Sequence, residues 1–213
     1  MKKAILSIGA LFVVLSIQAQ DLIKLNTHSA SRGTDIMEAF ANRQSLRNYQ
    51  ETDLSLQDIS DLLWAAVGVN RDNGKRTAPT AQNSQDVDVY LCSKDGVYLY
   101  DAAENYLKSV ISEDIRPLME GNRPTGAPVI LLIAADMSRY RGYNPDGDNK
   151  HFYEMGAVDA GIVSQNISLF CAGADLGTVP RASMNQDRLR EVLGLTETQI
   201  LWLNHPVAYL KTE

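Results

Sequence analysis

Residues 76–85 read Arg-Thr-Ala-Pro-Thr-Ala-Gln-Asn-Ser-Gln, a run of hydroxyl groups and terminal amides that begins with a guanidinium group. The stretch has no helical or alternating apolar pattern, so little in it could serve to fill a core. Such a composition predicts a polar loop. From these residues alone, the loop either binds a ligand or simply faces solvent.

A second polar stretch, Arg43-Gln44-Ser45-Leu46-Arg47, follows a predicted short helix over residues 35–42. If the helix continued, Arg43 and Arg47 would share one face while Ser45 pointed about 200° away. If the chain extends after Arg43, all three side chains point the same way and could converge on one anion, such as a phosphate. The alternative is that the two arginines are solvated at the helix C-terminus, where they favour its dipole.

The other usual sources of catalytic chemistry are not evident. The three histidines, His28, His151 and His205, are far apart in sequence, and none has a second ligand at metal spacing. There is no Gly-x-Ser-x-Gly, no phosphate-binding glycine-rich loop and no dinucleotide fingerprint. Cys92 and Cys171 lie among apolar neighbours, and either a disulfide or two buried free thiols is consistent with their positions.

The elements that must position these residues follow from apolar periodicity and turn signals. Their order predicts an α+β fold with a mostly antiparallel sheet flanked by helices. The predicted elements are helices over 35–42, 55–68, 102–119 (broken near 116–117), 150–174 and 185–193, and strands over 87–92, 97–100, 128–135 and 200–211, the last interrupted at His205-Pro206. The helix over 150–174 is apolar on most sides and carries small residues four apart, which predicts burial within the fold or between subunits.

The N-terminus has the layout of a secretory signal: two lysines, an apolar run of about a dozen residues, and Gln18-Ala19-Gln20 before the first acid. The apolar run falls short of the roughly 20 residues that span a bilayer. We therefore expect a cleaved signal over 1–20, a single domain over 21–213, and a periplasmic or secreted protein without stable membrane insertion. Removal of Lys2 and Lys3 takes the net charge from −6 to −6 − 2 = −8, which argues against a nucleic-acid partner.

Three stretches, in this order, resemble the flavin-dependent nitroreductase superfamily. Arg43, Ser45 and Arg47 match an Arg-x-Ser-x-Arg/Lys stretch that ends the first helix. Residues 78–85 match an Ala-Pro-Ser-x-x-Asn-x-Gln loop, with Thr80 in the serine position, and residues 176–180 match a Leu-Gly-x-x-Pro connection. The resemblance covers essentially everything after residue 34, and Arg76-Thr77 looks closest to the thiazoline/oxazoline dehydrogenase-like branch.

This resemblance implies an obligate homodimer with one FMN in each of two interface clefts, to which both subunits contribute. It implies that Arg43 and Arg47 neutralise the phosphate, that Asn83 faces the flavin pyrimidine, and that backbone N–H groups near Ala182 and Ser183 approach N5 and O4. Because the flavin carries the redox chemistry, the catalytic residues stay unassigned. The expected FMN-binding residues are Arg43, Gln44, Ser45, Arg47, Pro79, Thr80, Asn83, Gln85, Pro180, Arg181, Ala182, Ser183 and Lys211.

Three positions differ from the family pattern. Asp86 follows Gln85 where relatives often have Pro-Trp, and Lys211 is the only basic residue after the last strand. Arg181 stands where several relatives have an acid. A positive charge there would favour the anionic reduced flavin and raise its reduction potential.

The expected function is that of an exported FMN-dependent oxidoreductase of nitroreductase type. Electrons would pass from a small reduced donor, with NAD(P)H as one candidate, through the flavin to a small organic acceptor such as a nitroaromatic or a quinone. The alternatives are a flavin-dependent dehydrogenase of a peptide heterocycle, a non-catalytic flavin or phospho-ligand binding protein, and a structural dimer with a vestigial site. The sequence identifies neither the donor nor the acceptor.

Overall fold

The computed structural model describes residues 22–121 and 124–211, which form one seven-stranded sheet with helices on both faces. The strand order is β1-β4-β3-β2-β5-β7-β6, and every neighbouring pair is antiparallel. The strands are β1 (Leu22–Lys24), β2 (Val87–Ser93), β3 (Gly96–Asp101), β4 (Tyr106–Ile111), β5 (Val129–Asp136), β6 (Leu176–Thr178) and β7 (Gln199–Tyr209). The helices are α1 (Ile36–Asn42), α2 (Leu56–Val67), α3 (Pro117–Glu120), α4 (Lys150–Gly173) and α5 (Gln186–Leu193).

The central strand β5 divides the core into two layers. Its continuous apolar run is buried on both faces, because Leu131 and Ile133 face one cluster and Ile130 and Leu132 face the other. The first cluster contains the buried faces of α2 and α4, and the second contains those of α3 and α5. The prediction of an α+β fold with a mostly antiparallel sheet flanked by helices is confirmed.

Capping residues are present at the predicted ends of three helices. The Asp35 carboxylate accepts hydrogen bonds from two N–H groups of the first turn of α1, and the Ser55 hydroxyl accepts from the Asp58 N–H at the start of α2. Asn185 caps α5 in the same way, and Gly194 ends it in the left-handed conformation with φ 61°. These side chains satisfy N–H groups that the first helical turn leaves without partners.

The helix predicted over 102–119 is wrong before its expected break near 116–117, whereas the residues after the break lie in α3. Residues 102–105 form a turn with Asn105 at φ 56°, and the chain returns as strand β4 between β3 and β1. The Asp101 carboxylate accepts hydrogen bonds from the N–H groups of Ala103 and Glu104, and the Lys108 ammonium pairs with it. Strand pairing on both sides of β4 outweighs the helical preference of its residues.

The predicted interruption of the last strand at His205-Pro206 is also wrong, because β7 runs unbroken through both residues. The Asn204 N–H bonds to the Arg181 carbonyl, so the N–H that Pro206 lacks would point to the same side of the strand. On that side β6 has ended at Thr178. Pro206 therefore removes no hydrogen bond of the β5–β7 pairing, and it lies where the β6–β7 pairing ends.

Helix α4 lies across the sheet. One of its two strips of small residues faces the sheet, and the other faces away from it. A Cβ on Gly156 would lie 2.4 Å from Met137 Cε and 3.4 Å from Ala135 Cβ, so this glycine lets α4 approach β5 closely. Gly161, Met155 and Val158 are exposed.

Cys92 and Cys171 are both free and buried, and burial raises the pKa of each thiol. Within the described part of the chain, no helix is long and apolar enough to span a bilayer. The signal predicted over 1–20 lies outside the described residues.

Candidate functional site

The chain extends after α1 instead of continuing the helix. Arg43 has φ −61° and ψ 112°, and the Leu46 N–H bonds to the Thr178 carbonyl at 3.0 Å. The Lys211 N–H bonds to the Asn48 carbonyl at 2.9 Å, so this segment runs beside β6 and the end of β7. Four candidates on the segment are exposed, namely Arg43, Gln44, Ser45 and Arg47.

Basic side chains gather beside this segment. Arg47 and Arg181 both lower the pKa of Tyr49, although burial is the larger effect and raises it to about 12. The Tyr49 hydroxyl is buried and has no hydrogen-bond partner among the described residues. Within the same residues, Arg43 and Arg47 form no ion pair. We call Arg43, Arg47 and Lys211 the cationic group.

The 180–183 connection is fixed by a residue that the sequence did not single out. Asn204 is fully buried, and its main chain exchanges two hydrogen bonds with Arg181, at 2.9 and 2.8 Å. Its side chain accepts from Arg181 Nε at 2.9 Å and donates to the Ser183 carbonyl at 3.1 Å. Pro180, Ala182 and Ser183 are exposed, and no described residue accepts from the N–H of Ala182 or Ser183.

The Arg181 guanidinium is hydrogen-bonded at Nε but not at every nitrogen. Nη2 of its guanidinium is buried without a hydrogen-bond partner among residues 22–121 and 124–211. Burial lowers the pKa of Arg181, and Glu120 opposes this effect. The guanidinium is thus a fixed positive group behind the exposed connection.

The polar loop 78–86 has an unusual backbone. Gln82, Asn83 and Gln85 have φ of 59°, 55° and 49°, a left-handed region that residues other than glycine seldom adopt. Such residues persist where surrounding contacts impose them, and they cluster at ligand sites. The Thr80 hydroxyl accepts from the Gln85 N–H at 2.9 Å, and the Gln85 side chain donates to the Gly74 carbonyl at 2.9 Å. Pro79 and Asn83 are exposed.

Buried acids lie beneath this loop. Asp159 of α4 accepts from the Ala81 N–H at 2.9 Å and from the Tyr140 hydroxyl at 2.8 Å, both at Oδ2. Asp86 is 0% exposed and accepts from the Ser84 hydroxyl at 2.8 Å. The sequence analysis missed Tyr140 and Asp159; the only available signal was an acid within a helix that is otherwise apolar on most sides.

One chain does not bring the cationic group and the loop together. Leu46 lies beside Thr178, which aligns through Val207 with Val129 at the start of β5. The loop enters β2 at Val87, opposite Ala135 near the other end of β5. Six residues of strand separate these two rows, about 20 Å at roughly 3.3 Å per residue. The two groups of one chain therefore lie near opposite ends of β5.

Comparisons with known proteins identify the family to which this fold belongs. The nitroreductase family model matches residues 40–209. A protein of Methanocaldococcus jannaschii that bears the name nitroreductase is 26% identical over 170 residues, which cover 75% of this chain and 84% of that protein.

Two solved structures share the fold. One from Ralstonia eutropha, also named as a nitroreductase, has a TM-score of 0.82 and 29% identity, covering 99% of this chain and 97% of that chain. A nitroreductase family protein from Clostridium difficile has a TM-score of 0.61 and 20% identity, covering 84% and 87%. The matched residues include the 43–47 segment, the 78–86 loop and the 180–183 connection. The chain therefore belongs to the nitroreductase family of oxidoreductases.

Proposed function

We propose that this protein is an exported, homodimeric FMN-dependent oxidoreductase of nitroreductase type. Family membership supports the reaction class, and the unpaired guanidinium groups of Arg43 and Arg47 are the single observation that carries the choice of cofactor. Two exposed arginines beside Ser45, with Lys211 next to the same segment, present charge and hydrogen-bond donors that suit a phosphate monoester.

The rest of the site fits the isoalloxazine end of the same cofactor. The exposed Asn83 amide can donate to and accept from a pyrimidine edge, and it stands on a loop whose backbone is rigidly held. The N–H groups of Ala182 and Ser183 suit the N5 and O4 acceptors of a flavin. Bound FMN would supply hydride and electron transfer, while the protein would bind and orient it.

A homodimer would bring these two halves together. Exposed apolar side chains on α1 and α4 offer a surface for a second copy, since Met37 is 72% exposed and Val158 is 59% exposed. Ile36 and Phe40 on α1 and Met155 on α4 are also exposed. In such a dimer the cationic group of one subunit would face the loop of its partner.

Export, electron donor and acceptor belong to the same proposal. The signal-like residues 1–20 support export, which leaves a single domain over 21–213. Because nicotinamide cofactors are recycled in the cytoplasm, an exported enzyme needs either access to NAD(P)H or another reduced donor. A nitroaromatic or a quinone is the proposed acceptor, and a peptide heterocycle is the alternative substrate.

The first test is the visible absorption spectrum of the chain without residues 1–20, incubated with FMN and desalted. The expected result is oxidised-flavin absorption at about one FMN per subunit. A colourless protein would contradict the cofactor assignment. If FMN is retained, reoxidation of the reduced form by a nitroaromatic or quinone distinguishes an enzyme from a flavin carrier.

A further inference from the structure

The polar loop is braced by a buried pair of carboxyl groups for which flavin binding alone gives no reason. Asp159 is 3% exposed and Asp86 is 0% exposed, and the Tyr140 hydroxyl lies close to both. Asp159 bonds to the first residue of the 81–83 turn, whereas Asp86 ends the loop where it enters β2. The pair thus holds the loop at both ends.

The two carboxyl groups have unequal surroundings. Asp159 Oδ2 accepts hydrogen bonds from the Ala81 N–H and from the Tyr140 hydroxyl. Asp86 accepts from the Ser84 hydroxyl at Oδ1, while its own N–H and the Tyr140 hydroxyl act on it more weakly; Oδ2 has no hydrogen-bond partner among the described residues. Burial first, and then the negative charge of Asp159, raise the pKa of Asp86 to about 6.

The charged groups around the pair do not neutralise Asp86. Arg139 is the cation on the neighbouring 137–141 segment, and its guanidinium binds Asp88 of β2 through two hydrogen bonds of 2.9 and 2.6 Å. The same guanidinium lies 3.6 Å from Asp136 at the end of β5. Burial raises the pKa of Tyr140, so its hydroxyl stays protonated and keeps donating to Asp159.

We propose that Asp159 and Asp86 are positioning residues of the cofactor site, with Asp159 clamping the loop through the Ala81 N–H while Asp86 supports the loop only in its protonated form. The inference deepens the proposed function and rests on it. When Asp86 loses its proton, two negative charges are buried beside the Tyr140 hydroxyl and repel each other. Gln82, Asn83 and Gln85 can relieve this repulsion by leaving their left-handed conformations, and Asn83 then loses its fixed position.

The structure offers matched variants for a test. Asp86→Asn keeps the shape of the protonated carboxyl at every pH, Asp159→Asn removes the charged acceptor, and Asp146→Asn alters an exposed acid as the control. The dissociation constant of FMN is measured by flavin fluorescence from pH 5 to pH 8. Because the phosphate of FMN itself titrates near pH 6, the readout is the difference between the wild type and Asp86→Asn.

The wild type and Asp146→Asn should lose affinity across this range about fivefold to tenfold more than Asp86→Asn does. Asp159→Asn should bind FMN about tenfold more weakly at every pH, since a neutral amide oxygen is a weaker acceptor for the Ala81 N–H than a carboxylate. Equal pH dependence in the wild type and Asp86→Asn would overturn the role of Asp86. Unchanged FMN affinity in Asp159→Asn would overturn the clamp.

A second measurement separates this inference from the flavin proposal. Amide hydrogen exchange of Ala81 in flavin-free protein reports the clamp directly, and it should accelerate in Asp159→Asn but not in Asp146→Asn. Unchanged exchange at Ala81 contradicts the clamp whatever the flavin result. A wild type that binds no FMN at any pH contradicts the proposed function, while the exchange rates still decide whether Asp159 holds the loop.

Discussion

Arg43 and Arg47 project from an extended segment in which no described acid neutralises them. Arg43→Ala should weaken FMN binding about tenfold to a hundredfold, because a charge-assisted phosphate contact contributes roughly 1.5–3 kcal/mol. Flavin fluorescence quenching gives the dissociation constant. Arg188→Ala, which removes an exposed arginine paired with Glu191 on α5, is the matched control. Equal FMN affinity in both variants would contradict the assignment of Arg43 to the phosphate.

Arg181 tests the electrostatics of the flavin site. Its guanidinium is held against Asn204, so its charge is fixed in place. Arg181→Ala should lower the two-electron reduction potential of bound FMN by about 30 mV, which corresponds to about 1.4 kcal/mol, because a positive charge favours the anionic reduced flavin.

Arg181→Lys keeps the charge but not the planar fork, so the potential should stay closer to that of the wild type. Potentiometric titration of both variants measures the effect. A potential that is the same in Arg181→Ala as in the wild type would show that this charge does not act on the flavin.

Asp86 makes stability depend on pH. Its pKa is raised in the folded state from 3.8 to about 6, so between these values the folded protein binds more protons than the unfolded chain. Stability should therefore be highest below about pH 4 with respect to this group and fall as the pH rises through 6. Asp86→Asn should remove that fall and stabilise the protein at pH 7 by on the order of 2 kcal/mol. Urea unfolding at pH 4.5 and pH 7 measures it, and a wild type whose stability does not fall relative to the variant contradicts the assignment.

Residue types alone indicated Arg43 and Arg47 as candidates for binding an anion, whereas the role of Asn83 came from the family resemblance. Asn204 and Asp159 could not be found in this way. Each supports a loop more than 20 residues away in sequence, and only the tertiary structure shows the contact. The roles of all the candidate FMN-binding residues stay predictions.

At the scale of elements, local sequence signals predicted helices correctly where side chains cap their own helix. They failed for a strand that is stabilised by pairing with neighbouring strands. Ser55 and Gly68 fixed the ends of α2 within one residue. Residues 102–111 contain alanine, glutamate, leucine and lysine, all good helix formers, yet they form a turn and β4. Two residues that favour turns, Asp101 and Asn105, lie five positions and one position before β4, and they indicated a turn there.

Gly156 tests how closely α4 packs on the sheet. A methyl group there would meet the buried Met137 side chain at 2.4 Å, so Gly156→Ala should destabilise the protein by about 1–3 kcal/mol through overpacking. Gly161→Ala is the matched variant, since no atom lies within 4 Å of the added carbon. Thermal unfolding of both variants compares them. Wild-type stability in Gly156→Ala would show that α4 packs less tightly on Met137, and destabilisation by Gly161→Ala would indicate a second helix at that position.

At the scale of the whole molecule, the cationic group and the polar loop lie at opposite ends of the sheet, about 20 Å apart along the strands. The fold predicted from the element order was correct, but this separation could not be predicted, because it depends on the register of β5 with both of its neighbours. In the proposed homodimer, a site that needs both groups would take one group from each subunit.

That arrangement predicts complementation between two defective chains. A chain with Arg43→Ala and Arg47→Ala lacks the phosphate contacts, and a chain with Asn83→Ala lacks the loop amide. Co-expressed with different tags and purified through both, the mixed dimer would contain one intact site and one doubly defective site. It should bind about one FMN per dimer with wild-type affinity, whereas each variant homodimer binds both molecules more weakly. Equilibrium titration by fluorescence measures this stoichiometry. A mixed dimer with no tight site would mean that both groups act from the same subunit, which the distance along β5 opposes.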